Sequence, residues 1–157
     1  MISLAILETE DENIAYKIAS HIAGTGNRAP GVLIAAASSP DGIAGARPDL
    51  VVVSPGTRLP EAPGGDPIRC GALLLPDGAP TGRFEPGCVV NYGMSPRDTV
   101  TFSSIGETEC VISLQRELPT LDGGVLDQQE FIVRRDGGTG VTLAKSGALL
   151  IMGLEPE

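Results

Sequence analysis

The residues best suited to hold a ligand are Ser54, Gly56, Thr57 and Arg58 of the segment SPGTR. Two hydroxyls, a flexible glycine backbone and one guanidinium can together grip a phosphate or carboxylate. SPGTR directly follows the apolar run DLVVV (49–53). Similar runs precede Glu8 and Thr9, then Ser38, Ser39 and Asp41, and finally Tyr92, Gly93 and Ser95. In an open parallel sheet, ligands bind beyond the carboxyl ends of the strands, so these four segments define a candidate site for a small anionic ligand. The competing reading of SPGTR is a turn made of ordinary turn residues.

Catalysis finds little to work with. The single histidine, His21, falls in the last turn of an expected helix, where unpaired carbonyls favour a cation, and it reads as a surface group. Cys70, Cys88 and Cys110 are widely spaced and form no CxxC, so neither a zinc site nor a closed disulfide set is expected. Two of them begin the strand-like runs CVV and CVISL, where a thiol packs as a small hydrophobe. Glu8, Glu10, Asp11 and Glu12 suit a helix start better than a metal. No catalytic residue, metal or cofactor is assigned.

Length and composition narrow the rest. At 157 residues with 41% hydrophobic content, the chain is sized for a single domain with one core. A formal charge of -9 repels phosphate backbones and anionic membranes, and five aromatic side chains, none of them Trp, offer little for stacking bases. Nucleic acid is excluded as a partner. The N-terminal MISLAILETEDE lacks a basic region and GALLIMGL (147–154) is far too short for a span, so a cytoplasmic protein without membrane contact is expected.

The elements that must position these residues change character midway. ISLAIL (2–7), GVLIAAA (31–37), DLVVV (49–53), GALLL (71–75) and CVVNYG (88–93) are nearly continuous apolar runs, as in strands buried on both faces. Between the first two, Thr9 and Glu12 form a capping-box signal. Ile14, Ala15, Ile18, Ala19, Ile22 and Ala23 then recur at helical spacing up to Gly24. Strand, helix, strand closes as a right-handed parallel unit, so residues 1–93 read as a Rossmann-like α/β half. Fourteen of the thirty-four positions 55–88 are Gly or Pro, which excludes long helices there and leaves one sheet face thinly covered.

Residues 94–157 read as an antiparallel β half. TVTF, CVISL and EFIVRR alternate, Val141 and Leu143 continue the pattern, and the turns Asp122-Gly123-Gly124 and Asp136-Gly137-Gly138 supply hairpin geometry. The run 147–154 is then a closing strand, central or at an interface. The expected fold is α/β, a Rossmann-like, mostly parallel sheet followed by an antiparallel meander.

From Val89 to Leu154, a strand ending in Tyr92-Gly93, a polar loop, a hairpin carrying FIV (131–133), VTL (141–143) and a closing apolar strand resemble the end of the central domain of the Mur ligases. The resemblance implies a parallel sheet running into a small antiparallel one, and a link to the cell envelope. It does not imply ligase activity, because the family's GxxxxGK[ST] loop is missing: Thr139 and Ala144 stand where glycines precede Lys145-Ser146, in what reads as a hairpin strand. RPDLVVVSP (47–55) is also similar to the third strand of receiver domains. There the acceptor position holds Ser54, and no lysine follows the strand at 88–93. Two readings of function remain: a non-catalytic interaction or assembly protein that forms a homodimer or meets a protein partner, and a binder or enzyme of a small anion at the strand ends.

Overall fold

Aliphatic runs with no polar face build the first half of a sheet whose two sides must both be covered. The computed structural model describes residues 1–26, 31–62 and 64–157. Strand β1 (Ile2–Leu7) leads into helix α1 (Ile14–Gly24), and β2 (Val32–Ala37), β3 (Leu50–Val53), β4 (Ile68–Pro76) and β5 (Phe84–Tyr92) follow. These five strands are parallel, in the order β2-β1-β3-β4-β5. Strand β6 (Val100–Ile105) joins β5 through the single pair Tyr92–Val100, and β7 (Glu109–Leu114) runs antiparallel to β6. A two-stranded hairpin of β8 (Leu118–Pro119) and β9 (Val125–Leu126) stands apart, and β10 (Glu130–Arg134) closes the large sheet against β7. The α/β class, with a mostly parallel sheet running into antiparallel strands, is therefore as expected.

The chain steps from β1 to β2 in one direction, then from β2 through β5 in the other. Right-handed crossovers put connections of opposite direction on opposite faces. Accordingly Leu4, Ile6, Val52 and Leu74 pack under α1 and α2 (Thr139–Ile151), whereas Leu7, Val53 and Leu75 pack under Ile43, Leu59 and Ala79 from the connecting segments. No helix forms among the described residues of 55–88. The loop cover reaches Phe84 at the start of β5 and stops there. Beyond it Val89 and Ile132, on the same face, are exposed, Ile132 at 63%.

Three expectations are corrected. Residues 147–154 form no strand: from Thr139 the chain is helical, and Val141 and Leu143 belong to α2. Their alternation is a fragment of a longer 3–4 spacing, in which Leu143, Gly147 and Leu150, and Ala144, Ala148 and Ile151, turn one face to the sheet. The Asp136-Gly137-Gly138 turn consequently makes no hairpin but links β10 to α2, so the segment Thr139–Ala144 before Lys145 is the start of a helix and not a hairpin strand. Asp122-Gly123-Gly124 does close the β8–β9 hairpin, with Asp122 Oδ1 accepting from Gly124 N at 2.9 Å.

The third correction concerns Thr9. It caps no helix, because α1 begins five residues later, after Asn13 with φ 53°. The Glu8 carboxylate does the capping instead, accepting from the amides of Ile14 (2.5 Å) and Ala15 (3.2 Å). An acid there also complements the positive end of the helix.

At the far end of α1, His21 Nε2 bonds the Glu155 carbonyl at 2.8 Å. The α1–α2 junction is tied by Asp136, whose carboxylate meets Lys145 Nζ at 2.9 Å and Lys17 Nζ at 3.6 Å. Burial alone would raise the Asp136 carboxyl, yet the two ammonium groups hold it below the usual carboxylate range.

Candidate functional site

The strand order β2-β1-β3 reverses direction between β1 and β3, which is where a doubly wound sheet opens its ligand crevice. Here that crevice is occupied by the protein's own Glu12. One carboxylate oxygen accepts from Thr9 N (2.8 Å) and Thr9 Oγ1 (2.9 Å), and the other from Gly56 N (2.8 Å). The buried Ser54 hydroxyl bonds the same carboxylate and lies 2.7 Å from Thr57 Oγ1, while Thr57 N donates to Ser54 Oγ at 3.1 Å. Of the twelve residues in the four strand-end segments, the structure thus brings Thr9, Ser54, Gly56 and Thr57 together. The donors of Thr9 and Gly56 that could have gripped an anion already grip Glu12, and those of Thr57 are taken up by Ser54.

Burial would raise the Glu12 carboxyl, but the bonds from Ser54, Thr9 and Gly56 outweigh it and hold the group below its ordinary value. A carboxyl depressed on folding contributes stability above its unfolded value, about 4.3, and that stability is lost as pH falls through the folded value. Glu12→Ala should therefore cost about 1–3 kcal/mol at neutral pH, the usual penalty for stranding donors, and much less near pH 3. Urea midpoints of variant and wild type at the two pH values measure this.

A second group forms at the ends of β4 and β5. The Tyr92 hydroxyl donates to the Val53 carbonyl at 2.6 Å, and burial pushes its ionisation far upward. A Cβ at Gly93 would stand 2.7 Å from Asp98 Oδ2 and 2.9 Å from Asp77 Cβ, so only glycine leaves room for the two acids to approach. Asp98, 1% exposed, accepts from Ser95 N at 3.0 Å. Its carboxyl lies above the ordinary value because of burial first and the neighbouring Asp77 as well. Tyr92, Gly93 and Ser95 thus serve the turn that wraps the buried Asp98. Because folding raises this acid, ionising it at neutral pH opposes folding. Asp98→Asn keeps an acceptor for Ser95 and gains a donor for Asp77, so its urea midpoint should rise at pH 7 and match the wild type near pH 3.

Ser38 and Ser39 are exposed at the end of β2 and join neither group. Ser38 and Thr9 border a shallow depression of about 290 Å³, and Thr57 and Arg58 a separate groove of about 360 Å³ shared with Glu61 and Asp77. Arg58 is exposed, with no hydrogen bond or ion pair among the described residues. The residues missed by sequence reading are Glu12 as the occupant of the crevice and Asp77 as the partner of Asp98. The Pro76-Asp77-Gly78 turn after an apolar run was the available signal for the latter.

Among the described residues, no group of three or more His, Cys, Asp and Glu is placed to hold a metal, and no helix is long and apolar enough to cross a membrane. The thiols are free. Burial, with Cys88 nearby, pushes Cys70 up to about 11, and burial also raises Cys88.

These features define an α/β protein whose strand-end crevice is filled from within. No protein-family model, curated protein or solved structure matches the chain.

Proposed function

We propose that the chain is a non-catalytic assembly protein that acts through the open end of its sheet. The observation that carries this reading is the free outer side of β10. Arg135 N donates to Thr108 O and Leu114 N to Gln129 O, which sets the alternation of the β7–β10 ladder. It turns the N–H and C=O of Glu130 and Ile132 outward, and neither residue finds another partner among the described residues. Unpaired edges of this kind template further strand pairing. The strand-end donors of Thr9, Ser54, Gly56 and Thr57, by contrast, are satisfied within the chain. The Mur-ligase resemblance over 89–154, with α2 in place of its closing strand, would link such a protein to the cell envelope without that family's nucleotide chemistry.

Sedimentation velocity of the wild type from about 5 to 100 μM tests the reading, since association must follow concentration. A single monomer throughout overturns it. The unpaired Arg58 beside Thr57 favours a second reading, a small anion in the 360 Å³ groove. Thermal shifts with phosphate and nucleotides test it, because a ligand at 100 times its dissociation constant adds about 2.7 kcal/mol.

A further inference from the structure

Resting on the assembly reading, we propose that the partner of β10 is a second copy of β10, paired antiparallel about a two-fold axis at Ile132. The sequence Glu130-Phe131-Ile132-Val133-Arg134 is complementary to itself when reversed. In that register Glu130 of one copy faces Arg134 of the other, twice over. Ile132, 63% exposed, faces its own copy, and Phe131 stands opposite Val133 on the helix-covered side. Unlike charges directly opposite, and aromatic against β-branched side chains, are the pairs that stabilise antiparallel ladders. The residues turned outward are Glu130, Ile132 and Arg134, so they exchange N–H and C=O with the partner as hydrogen-bonded pairs and leave the β7 ladder intact.

Charge complementarity selects this edge over the other one. Strand β2 offers VLIAAA, with Leu33 63% exposed but no charged residue to fix a register or oppose a wrong one. Two chains of charge -9 repel each other, so an edge where each acid meets a base has a decisive advantage. One group stands in the way. Glu157 Oε2 accepts from Arg134 N at 2.8 Å and must swing aside for the pairing to reach Arg134.

Charge exchange tests the register. Glu130→Arg places two like pairs across the axis, and so does Arg134→Glu, so each variant alone should dimerise roughly tenfold or more weakly than the wild type. An equimolar mixture of the two variants restores both unlike pairs and should sediment as a dimer, which also shows that each variant is folded. A wild-type dimer unaffected by either substitution, or variants that stay monomeric when mixed, overturns the β10 pairing while leaving assembly through another surface intact. A wild type that is monomeric throughout overturns the assembly reading itself.

Discussion

Leu150→Asp should abolish the native fold at 25 °C or bring it to the edge of doing so. Leu150 is 2% exposed in the last turn of α2, within the cluster that holds α1 and α2 on the sheet. Removing a buried leucine side chain costs about 2–5 kcal/mol, and an ionised carboxylate without a partner adds a desolvation penalty on top. The sum rivals a typical total stability of about 5–15 kcal/mol. Circular dichroism in urea should show the midpoint collapsing, with Leu150→Ala intermediate. A Leu150→Asp chain that stayed as stable as the wild type and lost only its self-association would make α2 an interface, contrary to its place in the core.

Gly71→Val is expected to have the next largest effect. A Cβ at Gly71 would lie 2.7 Å from the carbonyl oxygen of Asp49, and one at Gly87 would lie 2.8 Å from the Gly71 carbonyl oxygen. The two glycines stand side by side in β4 and β5, so backbone approaches backbone in succession from the segment before β3 through to β5. A backbone oxygen has no rotamer to escape into, and the strands must part. The expected loss is about 3 kcal/mol, at the upper end of overpacking costs. Gly64, where an added Cβ meets nothing within 4 Å, is the comparison site. Gly64→Val should stay within about 0.5 kcal/mol.

The parallel half was legible because its signals were local. Continuous runs such as LVVV have no polar face to show, and the spacing from Ile14 to Ala23 fits one helix. Strands β4 and β5 proved longer than their apolar centres, since Ile68–Cys70 carries Arg69 between Pro67 and Gly71, and Phe84–Gly87 holds the proline and glycine that propensity assigns to loops. Helix α2 was misread for a related reason. Its contact face uses Ala144, Gly147 and Ala148, whose small side chains let it lie close to Leu74 and Val100 but carry little helical signal. The alternating Val141 and Leu143 then dominated the pattern.

At the candidate site, the residue types were read correctly and their partners were not. SPGTR contains donors suited to an anion, and an anion is there, supplied by Glu12 from a segment forty-four residues away. Spacing could show that Thr9 and Glu12 bond each other, as they do at 2.8 Å. It could not show that the second oxygen of the same carboxylate crosses to Gly56, because that contact depends on β1 and β3 being neighbours. The Asp77–Asp98 approach is equally non-local, since it rests on β4 and β5 ending together.

The shared salt link at Asp136 has a chemical corollary. Lys17 and Lys145 are the chain's only lysines, and both ammonium groups converge on one carboxylate. Every side-chain amine therefore lies at a single locus, the seam between α1, the β10–α2 connection and α2, with side chains only 21% and 15% accessible. Acetylation, reductive methylation or amine-directed crosslinking can reach no other side chain of this protein. Neutralising either amine frees a negative charge at that seam, so lysine acylation would act as a loosening of the helical layer, and two methyl resonances would suffice to watch it.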